Sequence, residues 1–525
     1  MTFTGKIAEI PVGLDGLTGT KNMAKVGPTH LIVAENITYE AGTIGKEGGS
    51  AKYNSSALSG AVTVLGGHDW WPTGSQQRSV IITSGGKLHK DSGDGSFGVT
   101  LKSSLTVSEI TPVFIEGGAE VAANNRKLFC YTGSNQVQVL SGDGSTTSDL
   151  ATPPTDWGSS YPTFGLIHEN RHFGGGNSND PHRLYFTAPG NHEVFTGSDT
   201  GTIPIYPGEG ERITGAVSFK GVLVVWKYPS GIYIVDTSDA DEANWSVDKH
   251  SSKIGGVSPL GHTPIDDDVI FIDQGGNLHL ISAIGEFANI GSRNLSDVAD
   301  LTPLIRDEVN FGELPRTQCI YYIAKREVHF TLSSSGTAYD RRLVVDLNRI
   351  DLPRFRLSTK DTNRSIWLRK DSDGVTRPVS GDKSGFVWKL DESARSKAGT
   401  GYNGKFQTPH LDFGFLDPSL GTKNKNGKFL ELVVEPKGNW DLSVDVLWDD
   451  VTIDTITFNM GVAGSTLGSF VLNTDKLAGG SLVNKRKRMV GSGRRLSLVG
   501  RNSGDGQDFS VSKFYCGFTE GSDRG

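Results

Sequence analysis

A chain of 525 residues is too long for one ordinary core, so two or three domains are expected. Charged residues make up 21% and hydrophobic residues 36%, with 68 glycines that follow no three-residue period; this excludes both collagen and disorder. A net charge of −7 argues against a general nucleic-acid coat, though not against a passage through which DNA slides without sticking.

Three cysteines (Cys130, Cys319 and Cys516) stand far apart with no CxxC pair, which points away from a disulfide framework or a cysteine-rich metal site. The opening Met1–Lys6 has no apolar signal-peptide core, and no apolar run is long enough to span a membrane. No secretory leader and no membrane segment are expected.

In chain order, residues 1–60 hold one strand, Leu31–Ile37, among polar loops. They are too poor in apolar residues to fold alone and are expected to add strands to another domain. From 61 to 400 a single unit recurs: a short apolar strand, a glycine-bearing polar turn, and a second alternating strand. The copies are Ser79–Leu88, Lys127–Leu140, Arg183–Phe195, Gly221–Val235, Asp268–Ile281, Arg326–Asp346 and Arg377–Leu390. Their turn glycines are Gly86, Gly133, Gly190, Gly231, Gly276, Gly336 and Gly385. A matching Ser-Gly-Asp-Gly-Ser follows the first two hairpins, at Ser92–Ser96 and Ser141–Ser145. Such spacing is that of β-propeller blades, whose apolar faces only a neighbouring blade can bury. The expected fold is all-β, a propeller of about seven blades.

Leu301–Val309 is the best helical candidate, with Ile305, Val309 and Phe311 as inward positions. Ser393–Gly404 reads as a linker. Residues 401–525 then carry longer alternating strands, among them Phe429–Val434, Trp440–Trp448, Phe470–Leu472 and Phe509–Tyr515. They suggest a C-terminal antiparallel β-sandwich for subunit or neighbour contacts.

Some segments resemble a known family. Gly13–Gly16 followed by Ala34–Asn54 looks like the opening of podovirus (short-tailed phage) tail hub and nozzle proteins, of the tail tubular protein B and packaged-DNA stabilisation types. His168–Gly176 followed by Pro181–Asn191 is similar to a propeller strand pair of that family, and Gly491–Leu498 with Phe509–Phe518 to its closing β-domain. The resemblance implies a structural virion protein in the phage tail, made in the host cytoplasm. It further implies a homo-oligomeric ring, typically a hexamer, beneath portal and adaptor proteins, with tail fibres or needle and tip proteins nearby. Phage DNA would pass through a lumen expected to be neutral to acidic. It offers no catalytic residue to carry over; no cofactor and no metal are expected.

Other motifs bear on chemistry. His168-Glu169-Asn170-Arg171-His172 matches the HExxH zinc pattern, which needs a helix to set both histidines on one face. Pro162 and Gly165 before it, and Gly174–Gly176 after it, leave too few turns, so strand and turn are expected. Asp91–Gly95, Asp266–Asp268 and Asp371–Gly374 lack the alternating carboxylates and closing glutamate of an EF-hand loop. Trp70-Trp71-Pro72 reads as packing more than as a stacking platform. The sharpest charge run is Lys485-Arg486-Lys487-Arg488, with Arg494 and Arg495 nearby. It is the candidate for docking on an acidic neighbour or for DNA contact. A glycan-binding or glycan-cleaving tail propeller is the alternative function.

Overall fold

The computed structural model describes residues 5–521 except 41, 61, 74–75, 92, 94, 108–110, 119–125, 143, 209–210, 285–288, 338 and 462–481. The predicted strand Phe470–Leu472 lies outside the described residues, as do Ser92, Asp94 and Asp143 of the Ser-Gly-Asp-Gly-Ser copies.

Antiparallel four-stranded meanders follow one another from Val64. The first blade opens on Val64–Thr73, the second on Val113–Gly117, the third on Phe164–His168, the fourth on Arg212–Phe219 and the fifth on His262–Ile265. A sixth meander, Cys319–Tyr322 to Arg354–Ser358, forms the start of a nine-stranded sheet. The last blade begins at Asn363–Lys370, and its outer strand is Gly49–Lys52, from the other end of the chain. Opening strands lie side by side around the circle, Cys319–Tyr322 between His262–Ile265 and Asn363–Lys370, and Asn363–Lys370 against Val64–Thr73. The propeller thus has six separate four-stranded blades, the last completed by the arm, and one further meander, sixth in chain order, whose sheet it shares with the C-terminal unit.

The fourth blade shows why these runs form blades. Val222–Tyr228 is apolar nearly throughout, and its period of two sends side chains to alternate faces. Leu223 and Val225 join Phe164, Phe173 and Leu184 in the core facing the third blade. Val224 and Trp226 join Val269, Phe271 and Ile281 in the core facing the fifth. A strand buried on both faces needs a continuous apolar run, and this one has it.

All seven turn glycines have positive φ, from 56° to 129°. Six of the seven predicted hairpins join the second and third strands of a blade. The exception is Arg183–Phe195: Arg183–Phe186 is a third strand, its pairing partner is Arg171–Gly175, and Gly190 sits in the loop that follows. Glycine-rich polar stretches flank that strand on both sides, so sequence alone misplaced the turn.

The arm does not form a unit of its own. Lys6–Pro11 pairs with Ser510–Glu520, and Ile37–Glu40 with Thr43–Lys46 extends the same seven-stranded sheet. Val33–Glu35 runs parallel to Arg354–Ser358 and antiparallel to Gly404–Gln407, joining the sixth blade to the C-terminal strands. The second sandwich sheet is therefore the sixth blade continued through Gly404–Gln407, Leu496–Asn502, Asp441–Trp448 and Val451–Asn459. One core holds Leu430, Leu432 and Phe514 from one sheet, Val444, Leu496 and Leu498 from the other, and Val328 and Leu343 of the sixth blade. The segment expected as a linker is tied to the outer strand of the last blade: Ser50 donates its backbone N–H to the Ser396 carbonyl at 2.9 Å, and Ala398 its own to the Ser50 carbonyl at 2.8 Å.

The helix spans Thr302–Glu308, with a proline in its first turn and Ile305 buried. Phe311, expected to point inward, is 40% exposed, because the chain leaves the helix at Val309 and enters a 3-10 turn, Phe311–Arg316. The three cysteines are buried and free.

Candidate docking surfaces and the propeller axis

Lys485, Arg486, Lys487 and Arg488 lie on Val483–Arg488, which pairs with Lys425–Val434 at the edge of the seven-stranded sheet. Register places Lys485 and Lys487 opposite the core residues Leu432 and Leu430, and Arg486 and Arg488 opposite Glu431 and Phe429 on the outer face. Arg486 donates to Glu431 at 2.5 Å and lies 4.2 Å over the Phe429 ring. Lys485 donates to the Gly461 carbonyl. Lys487 and Arg488 are exposed. Arg494 and Arg495 are exposed too, on a loop whose backbone N–H groups donate to Asp449 at 2.9 and 3.0 Å. Because Ser492–Gly493 pairs with Lys425 and Asn426 on the same strand, both cationic groups border one sheet edge. Charge on an edge strand also blunts unwanted pairing.

The HExxH residues form a hairpin. Phe164–His168 and Arg171–Gly175 are joined by Glu169 and Asn170, whose φ values of 45° and 59° make the tight turn. His168 pairs with Arg171, and His172 with Ile167, so the two histidines face opposite sides of the blade. Every ring nitrogen already has a partner. His168 meets Ser218 and Thr237, both at 2.7 Å; His172 meets the Tyr131 hydroxyl at 2.6 Å and the His192 carbonyl at 2.8 Å. Burial holds His172 down at about 3. The arrangement is a buried polar cluster without a shared coordination point.

The aspartate–glycine stretches are likewise engaged. Asp371 and Asp373 pair with Arg369 and Arg377, Asp266 with Arg326 and Tyr321, and Asp91 with Tyr53. Trp70 is fully buried between the first and second blades. Among the described residues, no group of three or more histidine, cysteine or carboxylate side chains is placed to hold a metal.

Two features had no clear signal in the sequence. One is a polar cleft of about 670 Å³ against the last blade, bordered by Tyr53, Tyr322, Lys325, Arg369, Arg377 and Asp391. The other is a plug across the propeller axis. The Arg316 carbonyl accepts from Thr111 at 3.1 Å, beside the second blade. The Thr317 carbonyl accepts from Ser258 at 2.6 Å, before the fifth. The Gln318 side chain donates to Leu65 of the first blade at 3.0 Å and accepts from the Ile366 N–H of the last at 3.1 Å. Thr317 and Gln318 are buried, and these contacts tie the segment to the first, second, fifth and last blades. These contacts join residues up to 253 apart in sequence, a distance that no local pattern reports.

No known family profile matches this chain, and no curated protein does. Solved structures similar to it include a β-propeller domain. The β-propeller domain of Cps50 (Swd1) from Myceliophteria thermophila is 8% identical, with a TM-score of 0.41 over 65% of this chain and 100% of that one. BBS1N in complex with ARL6DN is 12% identical, with a TM-score of 0.40 over 66% of this chain and 96% of that one. U3-55K is 8% identical, with a TM-score of 0.40 over 65% and 98% of the two chains.

Proposed function

We propose that this chain is a structural virion protein, a subunit of a tail nozzle or hub ring that forms part of a DNA ejection conduit, and not an enzyme. The observation that carries the reading is the knitting of the whole molecule by its N-terminal arm. The segment that resembles the tail hub and nozzle family, Ala34–Asn54, runs in order through the shared nine-stranded sheet, the seven-stranded sheet and the last blade. A body tied together in this way suits a load-bearing wall, since neither unit turns against the other without breaking strand pairs.

The segment that crosses the propeller axis supports a conduit that runs between subunits, not through a propeller. In the proposed ring, typically of six copies, Lys487, Arg488, Arg494 and Arg495 face an acidic neighbour, a second subunit or an adaptor. The lumen is then lined by other, neutral to acidic surface, so that phosphates are repelled and DNA slides. Mass spectrometry of purified particles tests the reading. Several copies of this chain per particle are expected, and its absence from particles overturns it.

The polar cleft favours a second reading, a glycan-binding propeller, since tyrosine rings beside guanidinium and carboxylate groups suit sugar hydroxyls. Retention on immobilised polysaccharide, lost on Arg377→Ala, would favour that reading over the ring.

A further inference from the structure

Beyond the plug, on the face where the opening strands end, the axis widens into a funnel of about 370 Å³. Its wall includes Gly67, Phe114, Ile320, Ile323, Trp367 and Leu368, drawn from the first, second, sixth and last blades. The fifth contributes Thr263 and Pro264. Gly67 is required there, because a Cβ at that position would stand 2.7 Å from the Trp367 ring. The wall is mainly apolar, and Ile323 at its lip is 69% exposed. One exposed isoleucine means little by itself, but an isoleucine at the rim of an apolar concavity marks a surface that gains from being covered.

The rim carries carboxylates on two sides of the axis. On the second blade, Glu116 lies 2.8 Å from the Nε2 of His68 and is 39% exposed. On the fifth, Asp266 accepts from Tyr321 at 3.0 Å and from Arg326 at 2.7 Å, and is 47% exposed. Beside it Asp267, paired with Lys220 at 3.4 Å, is 90% exposed. A chain that crosses the axis over the funnel passes acidic groups on both sides and an apolar socket between them.

We infer that this funnel is a docking site for an extended segment of a partner protein, which inserts one apolar side chain and presents a lysine or arginine on each side to Glu116 and to the Asp266–Asp267 turn. The apolar anchor supplies most of the affinity, because the socket removes it from water. The flanking cations select orientation and add a salt-dependent part. The inference does not rest on the ring reading; it uses only the geometry of the propeller axis.

The test is fluorescence anisotropy of the full chain with a fluorescein-labelled pentapeptide, arginine–leucine–arginine between two glycines. The control replaces both arginines with glutamate. Saturable binding of the cationic peptide below about 1 mM is expected, weakened by added salt, with the acidic control at least about tenfold weaker. Ile323→Asp alters an exposed side chain and keeps the fold, checked by circular dichroism; it weakens binding by about tenfold or more. Glu116→Lys weakens the cationic peptide and removes part of the salt dependence. No saturable binding of the cationic peptide, equal binding of both peptides, or no effect of Ile323→Asp would each overturn the proposal. So would a sedimentation result in which Ile323→Asp abolishes self-association, since the funnel would then be a contact between copies.

Discussion

Glu47 sits where the arm leaves the sandwich sheet at Lys46 and enters the last blade at Gly49. Its carboxylate is buried against three cations: Arg342 at 2.7 Å, Lys360 at 3.1 Å and Arg356 at 3.8 Å. Glu327 holds the far side of Arg356 at 2.7 Å, and Asp361 lies 3.5 Å from Lys360. Burial alone would push the Glu47 carboxyl up, but Lys360, Arg342 and Arg356 hold it well below its ordinary value.

Glu47→Gln keeps the shape and removes the charge, leaving three buried cations to two carboxylates. Breaking a buried ion network by deleting one partner costs about 3–5 kcal/mol. Hydrogen exchange is the suitable assay, read on the strand pair Gly49–Lys52 and Val387–Glu392. A loss of about 3 kcal/mol lowers protection there by roughly a hundredfold. Glu40→Gln serves as the control, since its carboxylate is 55% exposed beside Lys325, and it should cost no more than about 0.5 kcal/mol. The folded value lies below the unfolded one, so the Glu47 contribution is present above about pH 4.5 and fades as pH falls below it. Protection changed by less than about fivefold in Glu47→Gln would refute the claim that this charge seats the arm.

Three further outcomes are expected. Gly67→Ala forces the Trp367 ring to shift and should destabilise the chain by about 1–3 kcal/mol in chemical denaturation. The His172 ring is held at about 3 by burial while the unfolded chain protonates near 6.5, so stability should fall as pH drops from about 6.5 toward 3; His172→Gln should flatten that part of the profile. Deleting residues 1–52 removes strands from both sandwich sheets and the last blade, and should yield an insoluble or molten product by near-ultraviolet circular dichroism.

The propeller was legible because its signal is local. A blade hairpin needs a positive-φ turn between two apolar strands, and Gly86, Gly231 and Gly276 mark such turns within a dozen residues of sequence. The third blade shows the limit, where glycines on both sides of Arg183–Phe186 offered two equally good turns. The sandwich was legible from the alternation in Asp441–Trp448, although its sharing of a sheet with the sixth blade was not. Parallel pairing of Val33–Glu35 with Arg354–Ser358 depends on a register that short strands do not encode by themselves. The cationic run was visible as composition, and the structure adds that its residues divide between two faces of an edge strand. The plug, funnel and Glu47 network leave no local sequence pattern, because each assembles single residues from distant segments.

Gold labelling of this chain on intact particles, viewed by electron microscopy, tests the central proposal most directly. The account predicts label on the tail axis close to the capsid vertex. Label confined to peripheral fibres, or no label on intact or disrupted particles under conditions that label the isolated chain, would contradict a wall of the ejection conduit.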